Sequence, residues 1–372
     1  MTTRTSDTTA TPGYSIIVPE LTLARASAYL QELRLGRGEA GTLLNRRFQG
    51  EDLRVITEQE LLGSLFDTKP PQIFAESEVK GDGSDWNLAE LGLLGDISVA
   101  VPVTIFDDGN HNAPTPHDPP FSGVLVFTPG ALLRNGRGHT PADWKEVTEG
   151  DGKLSVEGYY SLYRRRLLPV LRYINDCASR PRSAFVTVPG LGCGQFAGPF
   201  LGQLGMRLQE VLQRLLTEEG GSLPNLKCVY FDPYSECQNF RREIHGISFM
   251  VRPLRQSGNG GKSQLCPPSS YAENGDDFSE CRLFSIVAWD HVSWPGNDFF
   301  AGSRATDDGV KAAATNSMAV LTGVEGQYHT ARGKYLPPQP YSNWGAVVED
   351  GLRTKRIRLW DSAAVWRAVE PQ

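Results

Sequence analysis

The sequence has no excess of basic residues. Its 37 lysines and arginines are outnumbered by 43 aspartates and glutamates, and the formal net charge is −6. General nucleic-acid binders carry a strong basic excess, so we expect no nucleic-acid partner. A nucleotide ligand stays compatible with this charge, because backbone N–H groups alone can hold phosphates.

Long apolar runs are also missing. No stretch approaches the ~20 uninterrupted apolar residues that span a bilayer, and no membrane partner is expected. The first residues, MTTRTSDTTATPG, are rich in Ser and Thr and lack the apolar core of a signal peptide. We therefore predict a disordered tail over residues 1–13 and a cytoplasmic protein, which would work in a host cytosol if the chain is a translocated effector.

The six cysteines form no CxxC pair, which disfavours a zinc ribbon or a thioredoxin-type site. Scattered cysteines in a chain of 372 residues are typical of a reducing compartment, although their even number leaves disulfides open. Since no His/Cys cluster suggests a metal, we expect neither a metal nor a cofactor.

From about Ser155 onward, helical and strand patterns alternate, which predicts an α/β fold with a parallel or mixed sheet flanked by helices. We expect residues 151–372 to form a catalytic core with a loop or insertion at 255–280, and residues 14–150 to form an N-terminal lobe of helices and strands. Strands are predicted at residues 97–106, 123–127, 184–188, 226–231 and 283–288. Helices are predicted at residues 21–35, 58–66, 156–174 with a kink or end at Pro169, 199–217 and 306–321, and a loop at residues 107–121.

A glycine-rich turn, VPGLGCGQFAGP, lies between the strand at 184–188 and the helix at 199–217. Glycines let the backbone approach a ligand closely, and the free N–H groups of a following helix favour an anion. The ligand-binding candidates are Gly190, Leu191, Gly192, Cys193, Gly194, Gln195, Phe196 and Gly198. The spacing fits neither a Walker A loop nor GxGxxG, so either another kind of phosphate loop or a plain tight turn would explain it.

A second polar turn, WDHVSWPGNDFFAGSRATDDG, follows the strand at 283–288. Ligands of open α/β sheets bind at the carboxyl ends of strands, so both turns should meet over one crevice. Carboxylates there could bind sugar hydroxyls, activate a water, or stabilise the positive charge that develops on a sugar ring.

Several residues of this turn also have plainer interpretations. Asp307 or Thr306 could be the N-cap of the next helix, and Asn297 beside Gly296 could be turn chemistry. We interpret His291 as a satisfied structural histidine rather than a general base. At the end of the strand at 226–231, Tyr234 could stack on an adenine, whereas Phe231 is better explained by core packing.

Taken together, the two turns resemble the ligand loops of macrodomains and poly(ADP-ribose) glycohydrolases. The resemblance covers roughly residues 184–321 and implies that Asn297 binds the distal ribose, while Gly302 and Ser303 line the phosphates. Macrodomains generally place the asparagine loop before the second phosphate loop, whereas here it comes after, which suggests a rearranged, permuted topology with an N-terminal helical extension.

A narrower resemblance covers this loop order. The aspartate spacing is similar to that of the MavL family of Legionella effectors, macrodomain hydrolases that remove ADP-ribose from an arginine of ubiquitin. The resemblance implies that Asp298 and Asp308 are catalytic and that Asp290 binds ligand or supports the site. It also implies an ADP-ribosylated protein, with ubiquitin as one candidate, as the partner and ADP-ribose as the product.

Three functions remain open from the sequence. The first is an ADP-ribosyl-protein glycohydrolase that cleaves an N-glycosidic bond to arginine. The second is a non-catalytic ADP-ribose reader, which would gain nothing from extra carboxylates beside a diphosphate. The third is another nucleotide-handling enzyme, such as a transferase or a phosphodiesterase.

Overall fold

The computed structural model describes residues 13–178, 182–255, 261–273 and 275–368. The tail predicted for residues 1–13 therefore lies, except for Gly13, outside the described residues. The strands are β1 (Ser15–Pro19), β2 (Ser98–Asp107), β3 (Pro116–Pro129), β4 (Ala184–Pro189), β5 (Leu226–Asp232), β6 (Phe240–Ile244), β7 (Ile247–Val251), β8 (Arg282–Trp289), β9 (Gln327–His329), β10 (Lys334–Leu336) and β11 (Val365–Ala368). The α-helices are α1 (Glu20–Arg34), α2 (Thr42–Arg47), α3 (Glu58–Phe66), α4 (Ala75–Glu78), α5 (Leu88–Gly95), α6 (Trp144–Val147), α7 (Val156–Cys177), α8 (Leu204–Glu219), α9 (Asp307–Ala314), α10 (Ser317–Thr322) and α11 (Trp344–Arg353).

One mixed sheet of nine strands has the order β11-β1-β2-β3-β8-β4-β5-β7-β6. Its centre is parallel: β8 pairs in parallel with β3 and β4, and β4 pairs in parallel with β5. The carboxyl ends of these four strands therefore lie at one edge, where ligands of α/β sheets bind. The predicted mixed α/β sheet is confirmed, and so are the predicted strands that correspond to β2, β4, β5 and β8.

The sheet crosses the division that the sequence suggested at residue 150. β3 belongs to the N-terminal segment, yet it pairs with β8 over the whole register from Gly123↔Leu283 to Pro129↔Trp289. The separate roles of residues 14–150 and 151–372 stay a prediction, while strands of both segments build the same sheet.

Both faces of the sheet are covered by apolar side chains. On β2, Val99 and Val101 join the core under α1, α3, α5 and α9, whereas Ala100 between them joins the core under α7 and α8. This alternation follows from the two-residue period of a strand. Within the described residues, no helix is long and apolar enough to cross a membrane.

Helix α7 runs through Pro169, so of the two predicted outcomes, a kink or an end, the end is wrong. A proline inside a helix removes one backbone hydrogen bond and costs about 3 kcal/mol. The buried face of α7, which includes Leu162, Leu167 and Val170, packs on the sheet and offsets this cost.

The helix predicted from Pro199 begins only at Leu204. A 3₁₀ turn, Gln195–Phe200, precedes it, and Gly198 within that turn has a φ of 55° that interrupts the helical path. Leu201, predicted on the apolar face, is 66% exposed, whereas Leu204, Leu208 and the later predicted positions are buried.

The helix predicted at 306–321 is two helices, α9 and α10, with a break at Thr315 and Asn316. Thr315 bridges to Ile105, and Asn316 exchanges hydrogen bonds with Thr104: the Thr104 N–H donates to Asn316 Oδ1 at 2.8 Å. The helix therefore breaks at Thr315 and Asn316, because both residues bind to β2.

Two predicted loops are partly ordered elements. The second half of the loop predicted at 107–121 is strand, because β3 starts at Pro116 and continues the hairpin with β2. In the predicted insertion at 255–280, Ser263, Gln264 and Leu265 are buried against the sheet, and a 3₁₀ turn follows at Pro268–Tyr271.

Candidate functional site

Two connected cavities of about 500 and 550 Å³ lie over the carboxyl ends of β4, β5 and β8. This size is typical of small-molecule sites. We name the first the aromatic cavity, after His111 and Tyr234, and the second the acidic cavity, after Asp290 and Asp298. Both share a set of lining residues and so form one crevice: Gly190, Gly194, Ala288, Thr306 and Asp307.

The glycine-rich turn separates and lines the two cavities. Of the predicted ligand residues, the lining ones are Gly190, Gly192, Cys193, Gly194, Gln195 and Phe196. Leu191 is buried, and its carbonyl accepts a hydrogen bond from the Tyr163 hydroxyl at 2.6 Å. Gly198 faces a neighbouring groove beside Trp144 instead. Burial raises the pKa of the Cys193 thiol well above its usual value, so this thiol is poorly suited to act as a nucleophile.

Gly192 is one of the positions of this turn, with Gly198, that have no room for a side chain. Its φ is 68°, and a Cβ there would lie 2.8 Å from Ala131 N and 2.9 Å from Tyr163 Oη. The turn therefore packs directly on the backbone that follows β3, which holds it against the sheet.

We predict that Gly192→Ala lowers the free energy of unfolding by about 2–4 kcal/mol, because it adds both overpacking and an unfavourable φ. Urea unfolding monitored by circular dichroism measures the change. Gly194→Ala is the matched control, since no heavy atom lies within 4 Å of a Cβ at position 194, and it should cost less than about 1 kcal/mol. Equal losses for both variants would contradict the close packing at Gly192.

The N-terminus of α8, expected to offer free N–H groups to an anion, has one of these groups bound by a protein carboxylate. The Gly205 N–H at its first turn donates to Glu236 Oε2 at 2.8 Å. The Glu236 carboxylate is therefore favourably placed at the positive end of the helix.

Asp290 follows β8 and opens into the acidic cavity. Its Oδ1 accepts the N–H groups of Val292 and Ser293 at 2.9 Å, and its Oδ2 accepts the Ser293 hydroxyl at 2.5 Å. Burial raises the pKa of Asp290 to about 6, against the lowering effect of these donors, and the nearby Asp298 carboxylate raises it further. This carboxyl can therefore change charge close to neutral pH.

Asp298 lines the same cavity, whereas Asp308 lies behind the loop. Asp298 Oδ2 accepts the Thr306 hydroxyl at 2.7 Å, and burial raises the pKa of Asp298. Asp308 is 2% exposed and accepts the N–H groups of Gly296 at 2.8 Å and Asp298 at 3.1 Å. Burial raises the pKa of Asp308 as well, and the Asp298 carboxylate adds to this.

Asn297 lies between Asp290 and Asp308 and does not line the cavity. It is 1% exposed, and its Nδ2 lies 3.3 Å from Asp290 Oδ2 and 3.5 Å from Asp308 Oδ2. Its Oδ1 has no hydrogen-bond partner among the residues that the structure describes. The ribose contact expected for Asn297 would therefore need a shift of this side chain.

The raised pKa of Asp290 predicts that the stability difference between the wild type and Asp290→Asn depends on pH. Because the pKa of Asp290 is higher in the folded chain, about 6 against a usual value of 3.8, its stabilising effect is lost as the pH rises through this interval. Asp290→Asn removes the titration, so its stability relative to the wild type should be about 1.4 kcal/mol more favourable at pH 7.5 than at pH 5. Urea unfolding of both proteins at both pH values measures this, and an unchanged difference would contradict it.

A buried basic pair lies behind Asp290. Lys69 is 4% exposed, and its ammonium lies 4.0 Å from the Phe66 ring centroid and 4.1 Å from that of Trp289. Burial lowers the pKa of Lys69 well below its usual value, while Asp290 opposes this. His291 is buried, and burial lowers its pKa to about 3. Its ring nitrogens have no hydrogen-bond partner within the described part of the chain, so the expectation of a satisfied histidine is wrong.

The N-cap of α9 is Thr306, which accepts the Gly309 N–H, and not Asp307. Asp307 instead accepts the Ala288 N–H at 2.8 Å and pairs with the buried Lys311 at 3.0 Å. Lys311 also donates to Gln264 Oε1 at 2.9 Å. Of this polar group, Ala288 and Asp307 line both cavities, whereas Gln264 and Lys311 line the aromatic cavity.

Gly302 and Ser303, expected to line phosphates, are not among the lining residues of either cavity, whereas Ala305 and Thr306 of the same turn line the aromatic cavity. The carbonyl oxygen of Gly302 accepts a hydrogen bond from the Lys334 ammonium, and the hydroxyl of the exposed Ser303 accepts one from the Ala305 N–H. Between Ser303 and Ala305, Arg304 makes a two-pronged ion pair with the buried Asp107, at 2.9 and 3.0 Å, which fixes this loop to the end of β2.

The aromatic cavity contains Tyr234, as the sequence suggested, whereas Phe231 is fully buried in the core. Tyr234 is 43% exposed and has a φ of 63°, and the Arg255 guanidinium lies 5.3 Å from its ring centroid. Buried Asp232 at the cavity floor accepts the N–H groups of Tyr234 at 2.8 Å and Leu254 at 2.9 Å.

Sequence reasoning missed two parts of the acidic cavity. Arg134, shortly after β3, donates to Gln195 Oε1 at 2.7 Å and borders the cavity. The segment Ile73, Phe74, Glu76 and Ser77 forms the opposite wall. Arg134 could have been predicted as a site residue, because it follows a strand of the parallel centre of the sheet. No local sequence pattern identifies residues 73–77 as part of the site. Within the described ranges, no group of three His, Cys, Asp or Glu side chains could hold a metal ion.

Comparison with known proteins gives one family match. Residues 14–341 match the family described as "Macrodomain effector MavL". The match covers most of the chain and includes both ligand turns as well as the N-terminal segment. None of the curated proteins compared with the chain matches it.

Proposed function

We propose that this chain, which belongs to the MavL family of macrodomain effectors, hydrolyses the bond between ADP-ribose and a protein side chain. Family membership implies a macrodomain site for ADP-ribose or an ADP-ribosylated protein. The proposal of hydrolysis rests on one observation: the carboxylates of Asp290 and Asp298 line the same cavity as Gly190, Gly192 and Gly194.

In this proposal, ADP-ribose spans the crevice. The diphosphate lies on the backbone of the turn at 190–194, the adenosine enters the aromatic cavity near Tyr234 and Asp232, and the distal ribose enters the acidic cavity. The two cavities meet at Gly190 and Gly194, which supports a ligand with the diphosphate in its middle.

The chemistry is a substitution at C1″ of the distal ribose. Asp298 accepts a proton from water as the water oxygen bonds to C1″, and the C1″–N bond breaks with its electron pair going to the guanidine nitrogen of arginine. That nitrogen takes up a proton from solvent as it leaves, and Asp298 returns the proton that it accepted to solvent, so the carboxylate is regenerated. Asp290, held by four donors, stabilises the positive charge that develops on the ribose ring, as carboxylates do in glycoside hydrolysis.

Asp308 has a positioning role in this scheme. Its two bonds to the N–H groups of Gly296 and Asp298 fix the backbone that carries the Asp298 side chain. This differs from the direct catalytic role that the family resemblance suggested. Arginine as the linkage, ubiquitin as the modified protein and the cytosol as the place of action belong to this proposal.

The test is incubation of the wild type with a protein carrying ADP-ribosylarginine, followed by mass spectrometry. We expect loss of the whole ADP-ribosyl mass from the protein and the appearance of free ADP-ribose. A non-catalytic reader would bind this substrate without changing its mass. Release of AMP would instead indicate a phosphodiesterase, and both results would refute the proposed hydrolysis.

A further inference from the structure

The acidic cavity has a wall built by the N-terminal segment, which we call the 73–77 wall: Ile73, Phe74, Glu76 and Ser77. Hydrogen bonds fix it to the loop after β3. Asn135 Nδ2 donates to Val79 O at 2.7 Å, and Arg137 Nε donates to Ser77 O at 3.3 Å. Buried Ala75 and Val79 anchor it from below, so the wall presents its side chains in a fixed place.

The cavity behind this wall is lined by more acidic than basic side chains. Glu76, Asp290 and Asp298 all line it, and within the described residues none of the three forms an ion pair with lysine, arginine or histidine. Asp307 already pairs with Lys311, and Lys69 lies behind Asp290 outside the cavity lining. Arg134 is the basic residue of the lining, and it is outnumbered by the carboxylates. A diphosphate gains nothing from three carboxylates, whereas a cationic group is attracted by them.

Phe74 adds an aromatic surface at the same place. It lines the cavity and is 50% exposed, which is unusual for a phenylalanine and leaves its ring open to a ligand. An aromatic face beside a carboxylate is complementary to a planar guanidinium, which stacks on rings and donates to carboxylate oxygens in a fork.

We infer that Phe74 and Glu76 bind the guanidinium of the modified arginine and thereby select arginine-linked ADP-ribose over ester-linked ADP-ribose. This inference rests on the proposed function. It assigns recognition of the leaving group, the arginine guanidine, to the 73–77 wall. Glu76 would accept guanidinium hydrogen bonds while Asp298 faces C1″ from the other side. An ester-linked substrate offers no positive charge to this pair.

The experiment compares Glu76→Gln with the wild type on two substrates, one with ADP-ribosylarginine and one with an ADP-ribosyl ester. We expect Glu76→Gln to lower kcat/KM for the arginine linkage about tenfold or more, with the ester rate and the Kd of free ADP-ribose unchanged within about twofold. Phe74→Leu should act in the same direction. Glu78→Gln is the matched control, because Glu78 is exposed two residues further on.

Equal rates for Glu76→Gln and the wild type on the arginine linkage would overturn the inference. So would a parallel loss of affinity for free ADP-ribose, since that ligand has no guanidinium. If the wild type binds but cleaves neither linkage, the proposed hydrolysis fails. In that case, the dissociation constants of an ADP-ribosylarginine peptide and of free ADP-ribose are measured instead. The wild type should bind the peptide more tightly than ADP-ribose, and Glu76→Gln should bind both equally.

Discussion

Asp298→Asn should lower kcat for release of ADP-ribose from arginine at least about a hundredfold, the usual contribution of a general base. Asparagine keeps the size of the side chain and can still accept the Thr306 hydroxyl that holds Asp298 Oδ2 at 2.7 Å. It cannot take a proton from water. Single-turnover release, followed by mass spectrometry, measures the change without interference from product release.

Binding separates this effect from a general loss of structure. Free ADP-ribose should bind Asp298→Asn at least as tightly as the wild type, because one negative charge near the diphosphate has been removed. Asp151→Asn is the control, since this exposed aspartate lines neither cavity and accepts the Lys153 N–H in a turn. Near-normal turnover of Asp298→Asn, together with an inactive and well-folded Asp308→Asn, would mean that Asp308 is the base and that the proposed roles are reversed.

Gly194→Glu should weaken ADP-ribose binding at least about a hundredfold. Gly194 borders both cavities, and no heavy atom lies within 4 Å of a Cβ built there, so a glutamate at this position extends into the crevice. A like charge placed against the diphosphate costs several kcal/mol, and each 1.4 kcal/mol is about a tenfold change in Kd. Calorimetric titration with ADP-ribose measures the affinity.

Gly194→Gln is the matched control for this prediction, because it has the size of glutamate without the charge. It should bind ADP-ribose more tightly than Gly194→Glu, and the gap between them should shrink at high salt. Equal affinities of the wild type and Gly194→Glu for ADP-ribose would show that the diphosphate does not bind at the glycine-rich turn.

The strands around the crevice could be predicted because their signals are local. β4, β5 and β8 are short runs of buried apolar residues between turn residues, and the resulting edge of the sheet places the glycine-rich and acidic turns side by side. Helix α3 was equally clear, since Thr57 and Glu60 form a capping box at its start.

The helix boundaries and the side-chain directions could not be read in this way. Pro199 favours a first helical turn, yet the left-handed φ of Gly198 delays α8 to Leu204. The sequence placed Asp298 and Asp308 together, but the loop buries Asp308 under two backbone N–H groups and leaves Asp298 in the cavity.

The 73–77 wall depends on contacts between residues far apart in the chain. Glu76 lines the same cavity as Asp290 and Asp298 because β3 pairs with β8 and the loop after β3 holds residues 77 and 79. A pattern of hydrophobic residues does not encode such a pairing, because the strand order is a property of the whole sheet. The aspartate turn was therefore predictable as a site, while the wall opposite it was not.

A crystal structure of the Asp298→Asn protein with bound ADP-ribose tests most directly whether this crevice is an ADP-ribose site. We predict the diphosphate within hydrogen-bond distance of the backbone N–H groups at 190–194, the adenine beside Tyr234, and the distal ribose between Asp290 and residue 298. A ligand in the groove beside Trp144, or one with its adenosine next to Asp290, would contradict the proposed mechanism.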